Sequence, residues 1–160
     1  MSNYVEMADP LTIVGTVASV GAIIELLSKS ISTIRELQAQ WQVADLATLS
    51  LGSQMGVLKA ALTKIQEWIE TGPSEAHHQL IMDLDSSLLC CKTLVGKIDA
   101  QLSALQQKSD GSLGMASRIK LVLTSHDIEG IQKMIERQTN TLTLPLTACN
   151  RWDPVHQVYT

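Results

Sequence analysis

The sequence predicts an all-α protein that folds as an antiparallel up-and-down helical bundle of four to five helices, with an apolar helix at its N-terminus. Three observations lead to this prediction. Apolar residues recur every three or four positions over most of the 160 residues, which places them on one face of a helix. The connections between the periodic segments are short, which favours antiparallel neighbouring helices. The composition is rich in helix formers, with 3% aromatic residues and no phenylalanine.

The first helix is predicted from Pro10 to about Gln40. Asp9 supplies an acceptor side chain at the N-cap, and proline loses nothing at the first helical position by lacking an N–H. No charged side chain occurs from Pro10 to Ile24. A helix that is apolar on nearly all sides lies buried in protein or in lipid. The helix then keeps one apolar stripe, formed by Ile24, Leu27, Ile31, Ile34, Leu37 and Trp41.

Two kinds of residue make up the uncharged run and are its candidate functional residues. The large ones form either a core-facing or a membrane-active surface: Leu11, Ile13, Val14, Val17, Val20, Ile23 and Ile24. Small residues at four-residue spacing allow helices to approach closely, either inside the bundle or in lipid. These candidate helix-packing residues are Gly15, Ala18, Ser19 and Ala22.

Two other roles for the uncharged run fit less well. A secretory signal needs a positively charged N-terminal region, whereas residues 1–9 contain Glu6 and Asp9 and no Lys or Arg. A constitutive membrane anchor must cross a hydrocarbon core of about 30 Å. The run from Pro10 to Ile24 rises only about 22 Å at about 1.5 Å per residue. A resident anchor stays open as a third hypothesis.

The second and third helices are predicted from their apolar seams. The second covers roughly residues 43–70 and ends at Thr71-Gly72-Pro73, because glycine and proline terminate helices. Ser74 caps the third helix, which runs to about Gln107. The second seam has the four-three spacing of a heptad and consists of Leu51, Met55, Leu58, Leu62, Ile65 and Ile69. The third consists of Leu80, Leu84, Leu88, Cys91, Val95, Ile98, Leu102 and Leu105.

The last part of the chain is more irregular. Residues 108–112 read as a mobile connection, and residues 118–123 as a short helix or an extended segment. Ser125 opens a further helix, with acidic residues in its first turn. Pro145 is expected to end or kink this helix, because proline removes a backbone donor. We therefore expect one domain over residues 7–150 and a disordered tail over residues 151–160.

The sequence offers little catalytic chemistry, and we expect a non-enzymatic protein with no catalytic residues, cofactor, metal or small-molecule substrate. His77 and His78 have no Cys or carboxylate four residues on that would indicate a zinc pair, and no phosphate-loop motif is present. A formal net charge of −4 argues against nucleic-acid binding. Cys90, Cys91 and Cys149 are interpreted as reduced, core-facing residues of an intracellular protein.

Two patches of the sequence carry a family resemblance. The first is Met7-Ala8-Asp9-Pro10-Leu11, followed by Ile13-Val14-Gly15 and Val17-Ala18-Ser19-Val20. The second is Arg118-Ile119-Lys120-Leu121, Asp127-Ile128-Glu129, Ile135-Glu136-Arg137-Gln138 and Leu142-Thr143-Leu144. In this order, over residues 7–150, they resemble the fungal N-terminal domains of STAND (NOD-like) receptors, in the HeLo and HeLo-like group.

The resemblance implies an all-helical bundle. Members of the group include executioners of programmed cell death in fungal heterokaryon incompatibility, and they resemble the bundle that permeabilises membranes in necroptosis. Their apolar N-terminal helix is the membrane-active element, a role that here would fall on the seven large apolar residues. Such domains usually precede a nucleotide-binding domain and repeats, which this sequence does not contain. A stand-alone protein, a truncated product and a fragment of a receptor all stay open.

Two functional hypotheses follow. In the first, the chain is a cytoplasmic signalling and effector domain of fungal innate immunity or cell death, whose N-terminal helix inserts into the plasma membrane after oligomerisation. Its partners are further copies of itself or a signalling protein, together with membrane lipid, and not nucleic acid. In the alternative, the chain is a soluble adaptor or oligomerisation bundle without membrane activity, and the first helix is simply its central core helix.

Overall fold

The computed structural model describes four stretches of the chain, and each of them forms one α-helix. The described residues are 10–41, 46–71, 78–107 and 125–152. The helices are α1 (Pro10–Trp41), α2 (Leu46–Glu70), α3 (His78–Gln107) and α4 (Ser125–Trp152), and no described residue forms a strand. The predicted all-α bundle with an apolar N-terminal helix is therefore confirmed.

The helix ends follow local sequence signals. α1 begins at Pro10, and α4 begins at Ser125, as predicted. At the end of α2, the backbone N–H of Thr71 donates to the carbonyl of Glu67 at 3.1 Å. The Thr71 hydroxyl donates to the carbonyl of Trp68 at 2.7 Å. These two bonds satisfy carbonyl groups that the end of a helix leaves without partners.

Several predicted features lie outside the described residues. They are the caps at Asp9 and Ser74, the start of the second helix at residues 43–45, the connection at 108–112, the segment at 118–123 and most of the predicted tail, at 153–160.

Each helix occupies one corner of a four-helix bundle. α1 and α4 each pack against both α2 and α3, while α1 and α4, like α2 and α3, lie at opposite corners. The expectation that α2 and α3 are antiparallel neighbours is therefore wrong in one respect, because they are not neighbours. The six residues from 72 to 77 reach up to about 20 Å when extended. The diagonal of a bundle with interaxial distances of 8–10 Å is only about 14 Å. Six residues are therefore long enough to join two helices at opposite corners.

Side-chain contacts show that α1 and α3 run parallel. Thr16 Oγ1 of α1 donates to Asp85 Oδ1 of α3 at 3.4 Å. Further along, Ser30 Oγ donates to Asp99 Oδ1 at 3.5 Å. The partners are 69 residues apart in both pairs, and a constant difference requires that the two helices point in the same direction.

The other described contacts complete the alternating directions. Gln38 Nε2, near the end of α1, donates to Thr48 Oγ1, near the start of α2, at 3.5 Å. Gln132 Nε2, near the start of α4, donates to the carbonyl of Ala47 in α2 at 3.2 Å. α1 and α2 are therefore antiparallel, α2 and α4 are parallel, and successive helices point up, down, up and down.

The predicted seams form the core. Every member of the α2 seam is buried: Leu51, Met55, Leu58, Leu62, Ile65 and Ile69. Six members of the α3 seam are buried: Leu84, Leu88, Cys91, Val95, Ile98 and Leu102. Leu80 is half-buried, and the side chain of Leu105 lies outside the described residues. α4 adds the buried residues Ile128, Ile131, Ile135 and Leu142. Because a buried Leu or Ile contributes about 1.5–3 kcal/mol, these seams are the main source of stability.

Of the two effects expected of Pro145, an end or a kink of the helix, the end is wrong, because α4 continues through Pro145 to Trp152. Proline removes one backbone donor, the one that would reach the carbonyl of Thr141. Leu142 is fully buried, and Leu146 packs against the core one turn further on. Packing on both sides of the proline thus holds the helical path. The predicted tail consequently begins in a helix over its first two residues, 151 and 152.

The burial of the α2 seam generates a stability prediction. Leu62 is 0% exposed, whereas Leu89 on α3 is 66% exposed. We expect Leu62→Ala to lower the free energy of unfolding by about 2–5 kcal/mol, because it removes transfer energy and leaves a cavity. The matched surface change Leu89→Ala should cost less than about 0.5 kcal/mol. Urea unfolding followed by circular dichroism measures both, and equal losses would contradict the assigned core.

Candidate functional site on the N-terminal helix

One side of the uncharged run belongs to the core. Val20 and Ile23 are fully buried, and Leu27 continues the same buried line one turn later. Thr16 is also buried, although its side chain is polar. Of the predicted membrane-active residues, Val20 and Ile23 therefore act as core residues in this conformation.

The opposite side of the run is apolar and exposed. Val14 is 68% exposed, and Gly15, Ala18 and Ala22 are exposed as well. A Cβ atom added at Gly15 would meet nothing within 4 Å. We call Val14, Gly15, Ala18 and Ala22 the outer face of α1. The exposed small residues of this face do not bring helices together inside the bundle, so of the two packing roles left open for them, only close approach to a helix outside the bundle remains a prediction.

The remaining candidates lie between these two sides. Ile13, Val17 and Ile24 are half-buried and pack against the edge of the core. Ser19 is half-buried too. Leu11 lies in α1, but its side chain is outside the described part of the structure. The uncharged run thus has a core side, an outer face and two half-buried flanks.

Polar contacts attach α1 to α3 at two levels. Near the start of α1, buried Thr16 bonds to the carboxylate of Asp85. Thirteen residues later, the Nζ of Lys29 lies 3.1 Å from the carboxylate of Asp99, which Ser30 also contacts. The side chain of Lys29 is 60% exposed, so this ion pair contributes no more than about 1 kcal/mol.

The inward side of α1 is more polar than that of α2. Thr16, Ser30 and Thr33 of α1 are buried, whereas the buried residues of α2 are all apolar. A hydroxyl that leaves the core regains hydrogen bonds from water, so its exposure is less costly than that of an alkyl group. The first half of α1 therefore has an apolar outer face, and the mainly apolar inner side of the helix includes three buried hydroxyls.

The length and composition of α1 satisfy the requirements for crossing a membrane. Among the described residues, one stretch qualifies, Ile13–Ala39 with 27 residues, and 28% of its apolar window is buried. At about 1.5 Å per residue it rises about 40 Å, enough for a hydrocarbon core of about 30 Å. A core helix of a soluble protein and a signal sequence meet the same criteria, so this property by itself does not place the chain in a membrane.

Burial of the cysteines agrees with the prediction at Cys91 but not at Cys90. Cys91 is buried, as expected, but Cys90 is exposed, because consecutive helical residues point about 100° apart. The side chain of Cys149 lies outside the described residues. Burial, and secondarily the neighbouring Cys90, raises the pKa of Cys91 to about 12. Its thiol contacts Gln138 Oε1 at 3.7 Å and stays protonated at neutral pH.

Other reactive groups do not assemble into a site in the described part of the chain. No group of three His, Cys, Asp or Glu side chains in that part is arranged to hold a metal ion. His77 and the side chain of His78 lie outside it. The outer face of α1 is consequently the most distinctive surface among the sequence-predicted candidates.

Comparison with protein-family models, with curated proteins and with solved structures found no match to this chain. The likeness to fungal STAND N-terminal domains therefore stays a prediction that rests on the two sequence patches.

The two adjacent thiols generate a prediction about reactivity. We compare Cys91→Ser and Cys90→Ser, each in a Cys149→Ser background, so that a single thiol remains. At about pH 8, exposed Cys90 should react with a maleimide in the folded protein, whereas Cys91 should react only after unfolding, since little of a thiol with such a raised pKa is thiolate. Mass spectrometry measures the rates. Similar rates for the two folded variants would contradict the assigned faces of α3.

Proposed function

We propose that this protein is a non-enzymatic effector domain of fungal innate-immunity or programmed-cell-death type. In this proposal it is cytoplasmic at rest, and after self-association the N-terminal part of α1 inserts into the plasma membrane. The observation that carries the proposal is the outer face of α1, an apolar surface that water contacts while charges are absent from Pro10 to Ile24. The resemblance of the two sequence patches supports the biological setting.

The side chains of α1 suit both the core of the bundle and the interior of a membrane. Val20 and Ile23 find apolar surroundings in the core and would find them again in lipid. The buried hydroxyls of α1 would be satisfied within the helix itself, since Ser and Thr side chains in membranes bond to the carbonyl four residues earlier. Ser28 already makes this bond, donating to the carbonyl of Ile24 at 2.7 Å.

Charge limits the depth of insertion. The longer stretch Ile13–Ala39 contains Glu25, Lys29, Arg35 and Glu36, and each charge at the bilayer centre costs about 2.5–3.5 kcal/mol or more. Insertion of the run that ends at Ile24 avoids this cost but does not cross the bilayer. Several helices inserted together would be needed to disturb both leaflets, and this is why the proposal includes oligomerisation.

A second candidate function is a soluble adaptor without membrane activity. The observation that favours it is the same outer face, because small residues let a partner helix approach closely. Gly15 has open space around it, and Ala18 and Ala22 lie exposed at four-residue spacing. In this function α1 stays in the bundle, and a helix from another protein or another copy covers its outer face.

Dye release from anionic liposomes tests the effector function. Full-length protein should release dye, and a version without residues 1–24 should not. That truncation also removes core residues, so Val14→Glu is the sharper variant, because Val14 is largely exposed and the bundle should tolerate a charge there. We expect Val14→Glu to reduce release at least about tenfold, as its charge costs about 2.5–3.5 kcal/mol at membrane depth.

The matched control is Val57→Glu, which places the same charge on α2 at a valine that is 55% exposed. It should release dye as the original protein does, and thermal unfolding should confirm that both variants fold. Release that persists in Val14→Glu and in the truncation contradicts insertion of α1. Absence of release from the folded full-length protein, together with oligomers that Val14→Glu disrupts, supports the adaptor function instead.

A further inference from the structure

We propose that the cleft between the C-terminal half of α1 and the N-terminal half of α2 binds a phosphate monoester through Arg35 and Lys59. This inference does not rest on the membrane activity proposed above. The cleft has a volume of about 480 Å³. Its polar lining comes from both helices: Ser28, Ser32, Arg35 and Gln38 on α1, and Ser53 and Lys59 on α2.

Two glycines leave the space that the cleft occupies. Gly52 and Gly56 line it from α2. A Cβ atom at Gly56 would meet nothing within 4 Å, and one at Gly52 would only reach an ordinary contact of 3.7 Å with Ile34 Cγ2. Helix packing therefore does not require either glycine, although glycine weakens a helix relative to alanine. Their effect is an open floor beneath the polar side chains.

Lys59 is the most unusual cation in the described part of the chain. It is half-buried, whereas the other lysines with described side chains are exposed, namely Lys29, Lys64, Lys92, Lys97 and Lys133. Within the described residues no carboxylate pairs with Lys59 or with Arg35, since the ion pairs found there involve Lys29, Lys64 and Lys133. Lys59 is partly removed from water without a counter-charge, which favours binding of an anion there, while Arg35 is exposed and adds a second positive charge.

The positions of the two cations suit one group held between them. Ile34 faces Gly52 across the antiparallel pair, so Arg35 is level with residue 51 of α2, and Lys59 lies eight residues further along the bundle axis. That separation is about 12 Å at about 1.5 Å per residue, and two long side chains on opposite helices can converge across it. The cleft thus offers a charged group from each end.

The donors of the cleft match a phosphate monoester. Such a group carries nearly two negative charges and three acceptor oxygens, which suit a guanidinium fork and an ammonium together. Ser53 adds a hydroxyl that makes no hydrogen bond to another described residue. Ser32 instead donates to the carboxylate of Glu36 at 3.2 Å, and Glu36 does not line the cleft.

The same chemistry occurs in a free phosphorylated metabolite and in a lipid headgroup, and two probes distinguish these sources. Glycerol 3-phosphate is titrated into full-length protein by calorimetry. Flotation measures binding to vesicles of phosphatidylcholine with a minor fraction of phosphatidic acid, compared with phosphatidylserine at equal surface charge. Binding of glycerol 3-phosphate, or capture by phosphatidic acid in preference to phosphatidylserine, supports the proposal and identifies the source.

Variants assign the binding to the cleft. The pair Arg35→Gln and Lys59→Gln should weaken binding at least about tenfold, because both charge-assisted contacts are lost. Gly56→Leu should have a similar effect by filling the floor while keeping both cations. The control pair Lys64→Gln and Lys133→Gln removes the same charge from exposed ion pairs elsewhere and should leave the affinity unchanged.

Two results would overturn the proposal. The first is no binding of glycerol 3-phosphate by the folded protein together with no preference for phosphatidic acid over phosphatidylserine vesicles, and the second is unchanged affinity in the cleft variants. Because the glycerol 3-phosphate titration contains no membrane, its result is independent of the dye-release experiment, and either proposal can fail while the other stands.

Discussion

Burial of one side of α1 is the constraint on which the other features depend. Val20, Ile23 and Leu27 enter the core, and this fixes the rotation of the helix about its own axis. With that rotation set, Val14, Ala18 and Ala22 face water. The same rotation carries Arg35 towards the cleft that α1 forms with α2. One helix thus presents an apolar face in its first half, and in its second half a wall of the cleft that includes Arg35.

Local signals predicted where helices begin and which residues form the seams, because capping and periodicity depend on residues close in the chain. Periodicity could not predict which side of the uncharged run is buried, because all sides of this part of the helix are apolar. The cleft could not be predicted from the sequence, because Arg35 and Lys59 line it together only through the packing of two helices. The helix continues through Pro145 because Leu142 and Leu146 pack against the core on either side of it, and this packing depends on residues distant in the chain.

The two functions proposed for the outer face differ in what happens to the core. For an adaptor the inner side of α1 stays in place, and burial of the outer face adds to the stability of the bundle. For an effector the inner side of the inserting run must leave the core, so that the contact of Thr16 with Asp85 of α3 is broken and lipid replaces the lost apolar burial. The polar part of the inner side lowers the cost of that exchange without making the resting bundle unstable.

The open floor of the cleft places stability and ligand affinity in opposition at a single position. Alanine at residue 56 would meet no neighbour and would strengthen α2 by about 0.5–1 kcal/mol. The added methyl group would also narrow the floor of the cleft. A ligand that needs the open floor would bind such a variant less tightly while its melting temperature rises, which is a trade-off between stability and function.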